Sequence, residues 1–240
     1  MLIDGKGGPD YDRLTPRAWL AAKDDLDQVR DVLRQVHRLM VDRQGAIAQV
    51  LGVTDAWHVG PSPSWPLILV VIDEAHTFFH ERKGTSAEVK AHNALVAELS
   101  RLVEELIRKG RNVVIQVMLL TQRATGDAIP TRIRDNCQVA ISFATRTMDG
   151  AVAALGEEIR QHPDASPVLL NDPAYVGVAV TSLPGRPGFH RVRTPQVDHH
   201  QVAAMIRATA GLRADPGVLL AEQAPGLRVV PEVPPPGEVA

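Results

Sequence analysis

A chain of 240 residues, 45% of them apolar and 22% charged, is long enough for one α/β domain with a sizeable core, or for one domain with an extension. A formal net charge of −2 excludes a generally basic protein, but not a machine that confines its basic residues to a pore. The single cysteine, Cys137, excludes an intrachain disulfide and a Cys-based zinc cluster within one chain, and makes a reducing, cytoplasmic setting the expectation. The longest wholly aliphatic run is six residues, far below the roughly 20 that span a bilayer. The amino terminus does not read as a signal peptide, so no segment of this chain is expected to enter a membrane, while an anchor in a longer parent protein stays open.

Residues 1–8, MLIDGKGG, read as the end of a strand running into a Gly-rich turn, with Asp4 and Lys6 at its exit. A phosphate-binding loop needs Gly-x-x-x-x-Gly-Lys-Ser/Thr, so that backbone N–H groups and a lysine cradle the phosphates while a hydroxyl binds the metal. Gly5-Lys6-Gly7 lacks the first glycine and the hydroxyl, and no other stretch matches. Thr15-Pro16 is a helix-start signal, and Leu26, Val29, Leu33, Val36 and Met40 recur as the apolar stripe of a helix of about five turns. Residues 52–66, with Gly60-Pro61 and two further prolines, read as a loop.

Residues 67–76, LILVVIDEAH, are the stretch around which the chain is organised. Six aliphatic residues without polar alternation predict a strand buried on both faces, as in a parallel sheet covered by helices on each side. The run ends in Asp73 and Glu74, and ligands of open α/β sheets sit at the carboxyl ends of the strands. Hydrolysis of a nucleoside triphosphate needs one carboxylate to hold the water shell of Mg²⁺ and another to orient or deprotonate the attacking water. Asp73 and Glu74 fit those roles in that order. A core strand followed by a turn, with Asp73 capping a short helix that carries Phe78 and Phe79, fits the same letters.

Thr85-x-x-Glu88 reads as a capping box for a long helix whose buried stripe is Leu95, Leu99, Leu102, Val103 and Leu106, ending at Gly110. Arg108, Lys109 and Arg111 at its end complement the helix dipole. Residues 113–120, VVIQVMLL, predict a second buried strand closing in Thr121-Gln122-Arg123, again polar groups at a strand's carboxyl end. A short helical turn over 129–136 carries Arg132 and Arg134, a third apolar strand covers 139–144, and Arg146-Thr147-Met148-Asp149 opens another helix. Residues 168–170, 175–180 and 189–192 read as short strands of an antiparallel edge meander, and Asp198 as the cap of a last helix. Residues 213–240, ending in PEVPPPGEVA, read as a Pro-rich disordered tail or linker after a domain spanning 1–212.

Read in order, the segments IDGKGG, LILVVIDEAHTFF, KGRNVVIQVMLLTQRAT, IPTRIRDNCQVAISFATRTMD and GFHRVRTPQVDHHQVAAMI resemble the FtsK/SpoIIIE-type double-stranded DNA translocases, in particular their conjugal-transfer branch, from residue 1 to about residue 210. The resemblance implies a partial RecA-like P-loop NTPase fold, a mainly parallel sheet flanked by helices, working as a hexameric ring on double-stranded DNA with ATP and Mg²⁺. It implies that Asp73 supports Mg²⁺ through water, Glu74 activates water, and Thr121 and Gln122 line the nucleotide, Gln122 sensing the γ-phosphate. Arg111 matches the position of an arginine that reaches the ATP of the neighbouring subunit, where such a group stabilises charge on the transferring phosphoryl. Arg132 and Arg146 fall in the post-sensor segments, near the nucleotide or the subunit interface, or in structural ion pairs.

The family's phosphate-binding loop would precede residue 1, and its strand lies in the middle of the sheet. The expectation is therefore the later part of a motor, from a truncated or split gene or a late start, hydrolysing ATP poorly or not at all alone. A remnant that only oligomerises or binds DNA is the main rival. Asp73-Glu74-Ala75-His76 also spells the DEAH of a helicase family, but nothing after residue 145 resembles that family's second lobe. His76 and His80, four apart, could face one metal with Asp73 or Glu81, although ordinary polar roles fit them better; Cys137 reads as a small buried strand residue.

Overall fold

The computed structural model describes residues 1–122, 125, 127–183 and 185–225. The aliphatic run forms β3 (Ile68–Asp73), the inner strand of a parallel sheet in the order β2 (Ala21–Ala22), β1 (Leu2–Asp4), β3, β4 (Ile115–Leu119). Ile68, Val70 and Ile72 point into one core, abreast of Ile115, Val117 and Leu119 on β4 and, through Ile72, of Ile3 on β1. Against this face lie two long helices, α1 (Leu26–Leu51) and α2 (Ala87–Lys109), whose stripes Val29-Leu33-Val36-Met40 and Leu99-Leu102-Val103-Leu106 interlock. Each fully buried aliphatic side chain of this kind is worth about 1.5–3 kcal/mol over leaving it in water.

Helix α1 begins where Asp25 accepts a hydrogen bond from the Gln28 amide at 2.8 Å, and ends at Gly52, whose φ of 68° supplies the left-handed cap. Arg34 meets Glu98 at 2.7 Å and His37 meets Glu105 at 2.8 Å, tying α1 to α2 at their solvent seam. Deeper, the buried Arg43 of α1 has no carboxylate partner among the described residues. Its Nη1 and Nη2 donate to the carbonyls of Val113 and Pro66 at 3.0 and 2.9 Å, and its guanidinium lies 4.9 Å from the Trp65 ring. Burial pulls this guanidinium down to about 10.

A second, antiparallel sheet runs β5 (Ile141–Ser142), β6 (Val178–Leu183), β7 (Arg186–Arg193), with its own small core of Ala151, Ile159, Leu170, Val178 and Val180. Its first helix after β5 is α4 (Met148–Leu155). The units are joined through the short α3 (Thr131–Arg134): Ile133 enters the first core, Arg132 pairs with Glu104 of α2 at 3.2 Å, and Arg134 donates to the Ala153 carbonyl at 3.3 Å. Helix α5 (His199–Ala208) carries the Asp198 cap foreseen for it, with Gln201 completing a capping box.

Several expectations change. The strand at 68–73 is buried on one face only, because α1 and α2 lie side by side on the same side; Leu69 is 38% exposed and Met118 of β4 46%. The third apolar strand expected over 139–144 is reduced to two residues. Only Ile141 and Ser142 pair, antiparallel to β6, and Ile141 is 55% exposed. Thr15-Pro16 opens a single 3-10 turn, since Asp25 is the better-placed cap, and Ser86 rather than Thr85 caps α2 through the Val89 amide. Residues 168–170 lie in a 3-10 turn behind Pro167, which cannot donate to a ladder. Cys137 sits half-buried in the turn after α3, its thiol pushed up by burial and donating to the Ile133 carbonyl, not in a strand. Within the expected tail, α6 (Pro216–Gln223) packs Leu220 on the first core, and its Gln223 amide reaches the Ser64 carbonyl at 2.7 Å; residues 226–240 lie outside the described residues. Among the described residues, no helix is long and apolar enough to cross a membrane.

Candidate active site

Strands β1 and β3 end alike, in Ile3-Asp4 and Ile72-Asp73, and the parallel register sets Asp4 directly beside Asp73. The chain leaves β1 through Gly5, whose amide donates to the Asp73 carbonyl at 3.0 Å. A Cβ at Gly5 would lie 2.8 Å from the Asp73 carbonyl oxygen and 2.9 Å from that of Glu74, so this close approach requires glycine. Asp4 is 3% exposed; its Oδ1 accepts from the Lys6 amide at 3.0 Å, and its Oδ2 has no hydrogen-bond partner among the described residues. Beside the pair stands Tyr11. Burial, and next the charge of Asp73 and a hydrogen bond to it, raise the Tyr11 phenol to about 12.

Glu74 leaves the strand at φ 50° and ψ 44°, a left-handed conformation that a non-glycine residue seldom holds. The turn is held by the Ala75 amide donating to the Leu120 carbonyl at 2.8 Å. It swings the Glu74 side chain to the end of β4, where Oε2 accepts from the Gln122 amide at 3.1 Å. Thr121 Oγ1 and His76 Nδ1 stand 3.3 Å apart on the same edge. Asp73, Glu74, Thr121 and Gln122, expected as one site, are thus brought together at the carboxyl ends of neighbouring strands. Asp4 and Tyr11 join them unforeseen; only the shared Ile-Asp ending could have flagged Asp4, and no local pattern flags Tyr11.

Arg111 is not brought to this edge. It opens a 3-10 turn before β4, so the strand's length separates it from Asp73, about 17 Å at 3.3 Å per residue. Arg146 is exposed just before the Thr147 cap of α4, and Arg132 is taken by Glu104. Arg123, in the expected sensor segment, lies outside the described residues.

Among the described residues no three His, Cys, Asp or Glu side chains form a metal cage. Mg²⁺ is suited to less: it keeps most of its water and takes one or two carboxylates together with substrate phosphates. The half-buried Asp73, with the unpartnered Asp4 oxygen one strand away, fits that donor set.

No family model and no curated protein matches the chain. Among solved structures, it is similar to the pCW3 conjugation coupling protein TcpA, in a monomer form with ATPγS, at TM-score 0.59 and 16% identity, covering 80% of this chain and 50% of that one. It is also similar to the cytoplasmic domain of the Thermomonospora curvata type VII secretion ATPase EccC, at TM-score 0.54 and 16% identity, over 86% of this chain and 24% of that one. Both are motor proteins of the FtsK/SpoIIIE type. The fold is that of P-loop ATPases. The chain therefore spans half or less of the length of these two structures.

Proposed function

We propose that residues 1–212 are part of an ATP-driven translocase motor of the FtsK/SpoIIIE type, moving double-stranded DNA in plasmid transfer or chromosome movement. The observation that carries this reading is the meeting of Asp73, Glu74 and the Gln122 amide on one sheet edge. Asp73 holds the water shell of Mg²⁺, which supplies charge neutralisation to the phosphates when bound. Glu74 orients and deprotonates the attacking water, and its present tie to the Gln122 amide couples it to the segment that senses the γ-phosphate. Arg111, remote from its own chain's site, serves the site of a neighbouring copy in a ring.

The sequence has no Gly-x-x-x-x-Gly-Lys-Ser/Thr, so the grip on phosphates comes from outside residues 1–240. In this reading it arrives on a strand–loop–helix unit docked on the outer edge of β4, which no strand pairs among the described residues. The test is ATP hydrolysis, with and without duplex DNA, by residues 1–240 alone and joined to a phosphate-loop segment from the upstream reading frame. Turnover is expected only in the joined form, stimulated by DNA and lowered about 10²–10⁴-fold by Glu74→Gln. Motor-like turnover by residues 1–240 alone overturns the missing-grip argument, and an inert joined form favours a remnant that only binds.

A further inference from the structure

Ile3 and Ile72 point together into the core covered by α1 and α2, so by the alternation of a strand the residues that follow them, Asp4 and Asp73, point together to the opposite face. Neighbouring strands run ~4.8 Å apart, which sets the two carboxylates side by side. Neither has an ion pair with a lysine or arginine among the described residues. The two lysines of this edge are engaged elsewhere: Lys6 stands 3.9 Å from Asp10, and Lys23 donates to Asp12 Oδ1 at 2.9 Å and to the Gly8 carbonyl at 3.2 Å.

With Arg43, Asp4 is one of two charged side chains buried among the described residues. Arg43 is served by two carbonyls and the Trp65 ring, whereas Asp4 has the Lys6 amide on Oδ1 and no hydrogen bond on Oδ2. A buried carboxylate oxygen without a donor costs the folded state, and such an orphan points to a further partner. The segment after Gly5 folds back over this face. Gly7, at φ 66°, packs where a Cβ would stand 2.8 Å from Asp24 Oδ1, Lys23 ties down Gly8 and Asp12, and Tyr11 is set against Asp73, with Asp4 near enough for its charge to act on the phenol. The Lys23 tie to Asp12 is exposed, so water competes for it and the loop can lift without disturbing the sheet.

We infer that Asp4 is the second carboxylate of the divalent-cation site at the Asp73 edge, and that the pair takes up the cation before any nucleotide arrives, the loop around Tyr11 lifting to admit it. The inference rests on the reading of Asp73 as a Mg²⁺ residue in the function proposed above. Asp4 and Asp73 offer oxygen only, the donors that suit Mg²⁺ and Mn²⁺, and one or two carboxylates are what such a cation takes while keeping most of its water. The spare oxygen of Asp4 gains a partner, and two like charges that disfavour each other across neighbouring strands are both compensated. Tyr11 holds Asp73 while the pair is closed and gives it up when the pair opens.

The test titrates residues 1–240, without nucleotide, with Mn²⁺, following the paramagnetic resonance of the free ion and its displacement by Mg²⁺. Saturable binding of one Mn²⁺ per chain is expected, weakened about tenfold or more by Asp4→Asn and by Asp73→Asn and unchanged by Asp10→Asn. Tyr11→Phe is expected to tighten it; equal affinity in that variant overturns the part given to the loop. Asparagine keeps the acceptor for the Lys6 amide, so Asp4→Asn is expected to unfold at a higher urea midpoint than the unsubstituted chain in EDTA, and to gain nothing from Mg²⁺ where the unsubstituted chain gains. Should a variant fail to fold, substoichiometric Mn²⁺ locates the site in the unsubstituted chain by broadening the amide signals of Asp4, Gly5 and Asp73 first. A lower midpoint for Asp4→Asn with its cation response intact, or broadening centred elsewhere, overturns the inference. Absence of saturable binding overturns it too, but not the reading of Asp73, whose hold on the water shell needs nucleotide. Binding lost in Asp73→Asn alone keeps Asp73 and removes Asp4. Binding lost in both, with no turnover when the chain is joined to a phosphate loop, refutes the motor reading and leaves the cation pair standing.

Discussion

Tyr11 carries the clearest single-residue consequence of the site's packing. Its phenol is favoured in the neutral form by burial and by the Asp73 carboxylate, so the folded value near 12 exceeds the ordinary 10 of the unfolded chain. The resulting stabilisation is fully present below about pH 10 and is lost as pH rises from about 10 to about 12. Ultraviolet titration is expected to show one of the two tyrosines ionising near 12, and Tyr11→Phe to remove that late component; ionisation of both near 10 contradicts the packing around Asp73. This also marks what was legible at the residue scale. The place of Asp73 and Glu74 at a strand's carboxyl end could be read from sequence because they end an apolar run. Tyr11 could not, because its role depends on a loop folding back across two strands, and the left-handed turns at Glu74 and Val114 leave no trace in residues that ordinarily avoid them.

Elements were legible wherever a local pattern was sufficient. The stripes of α1 and α2 were readable from spacing, because helix burial repeats every three to four residues, and Asp198 was readable as a cap, though its capping box with Gln201 was not. A six-residue aliphatic run, by contrast, says that a strand is apolar on both faces but not whether both are covered, and here both long helices chose one side. Arg43 was equally hidden, an arginine within an apolar stripe that looks like a solvated position. Arg43→Ala is expected to cost about 2–4 kcal/mol, since it opens a cavity and strips the Pro66 carbonyl of its donor, while Trp65 Nε1 still reaches the Val113 carbonyl at 3.3 Å. Arg43→Met, which fills the volume without burying a charge, should cost less. Urea unfolding of the two variants decides it; equal midpoint shifts would mean that volume is irrelevant and the hydrogen bonds carry everything.

At the scale of the whole molecule, the open side of β4 stands out. The Leu120 amide bonds to the Ile72 carbonyl and the Ile68 amide to the Val114 carbonyl, which fixes the parity of the ladder and turns the amides of Val117 and Leu119 away from β3. An edge that no strand pairs among the described residues, beside exposed Met118 and Leu120, is a template for another strand. Hydrogen exchange of residues 1–240 is expected to show Val117 and Leu119 exchanging on the order of 10²-fold faster than Val70 and Ile72, and slowing once a strand docks. Equal protection in the chain alone would show that the edge is already covered. This arrangement is why the sequence could give the class of the fold and the order of its segments but not which strand edge is left open, which depends on the order of the strands in the sheet.

The guanidinium of Arg43 has one more consequence, a mechanical one. It grips the backbone at the entrances of both β3 and β4 from the far side of α1. Slippage of the helix by one turn, about 5.4 Å, would tear it from both carbonyls at once. The helix and sheet are therefore pinned as a single rigid block. The antiparallel unit meets that block at α3, through the Arg132 pair with Glu104 and the Arg134 bond to the Ala153 carbonyl, and the chain returns to it at α6 through Leu220 and the Gln223 bond to the Ser64 carbonyl.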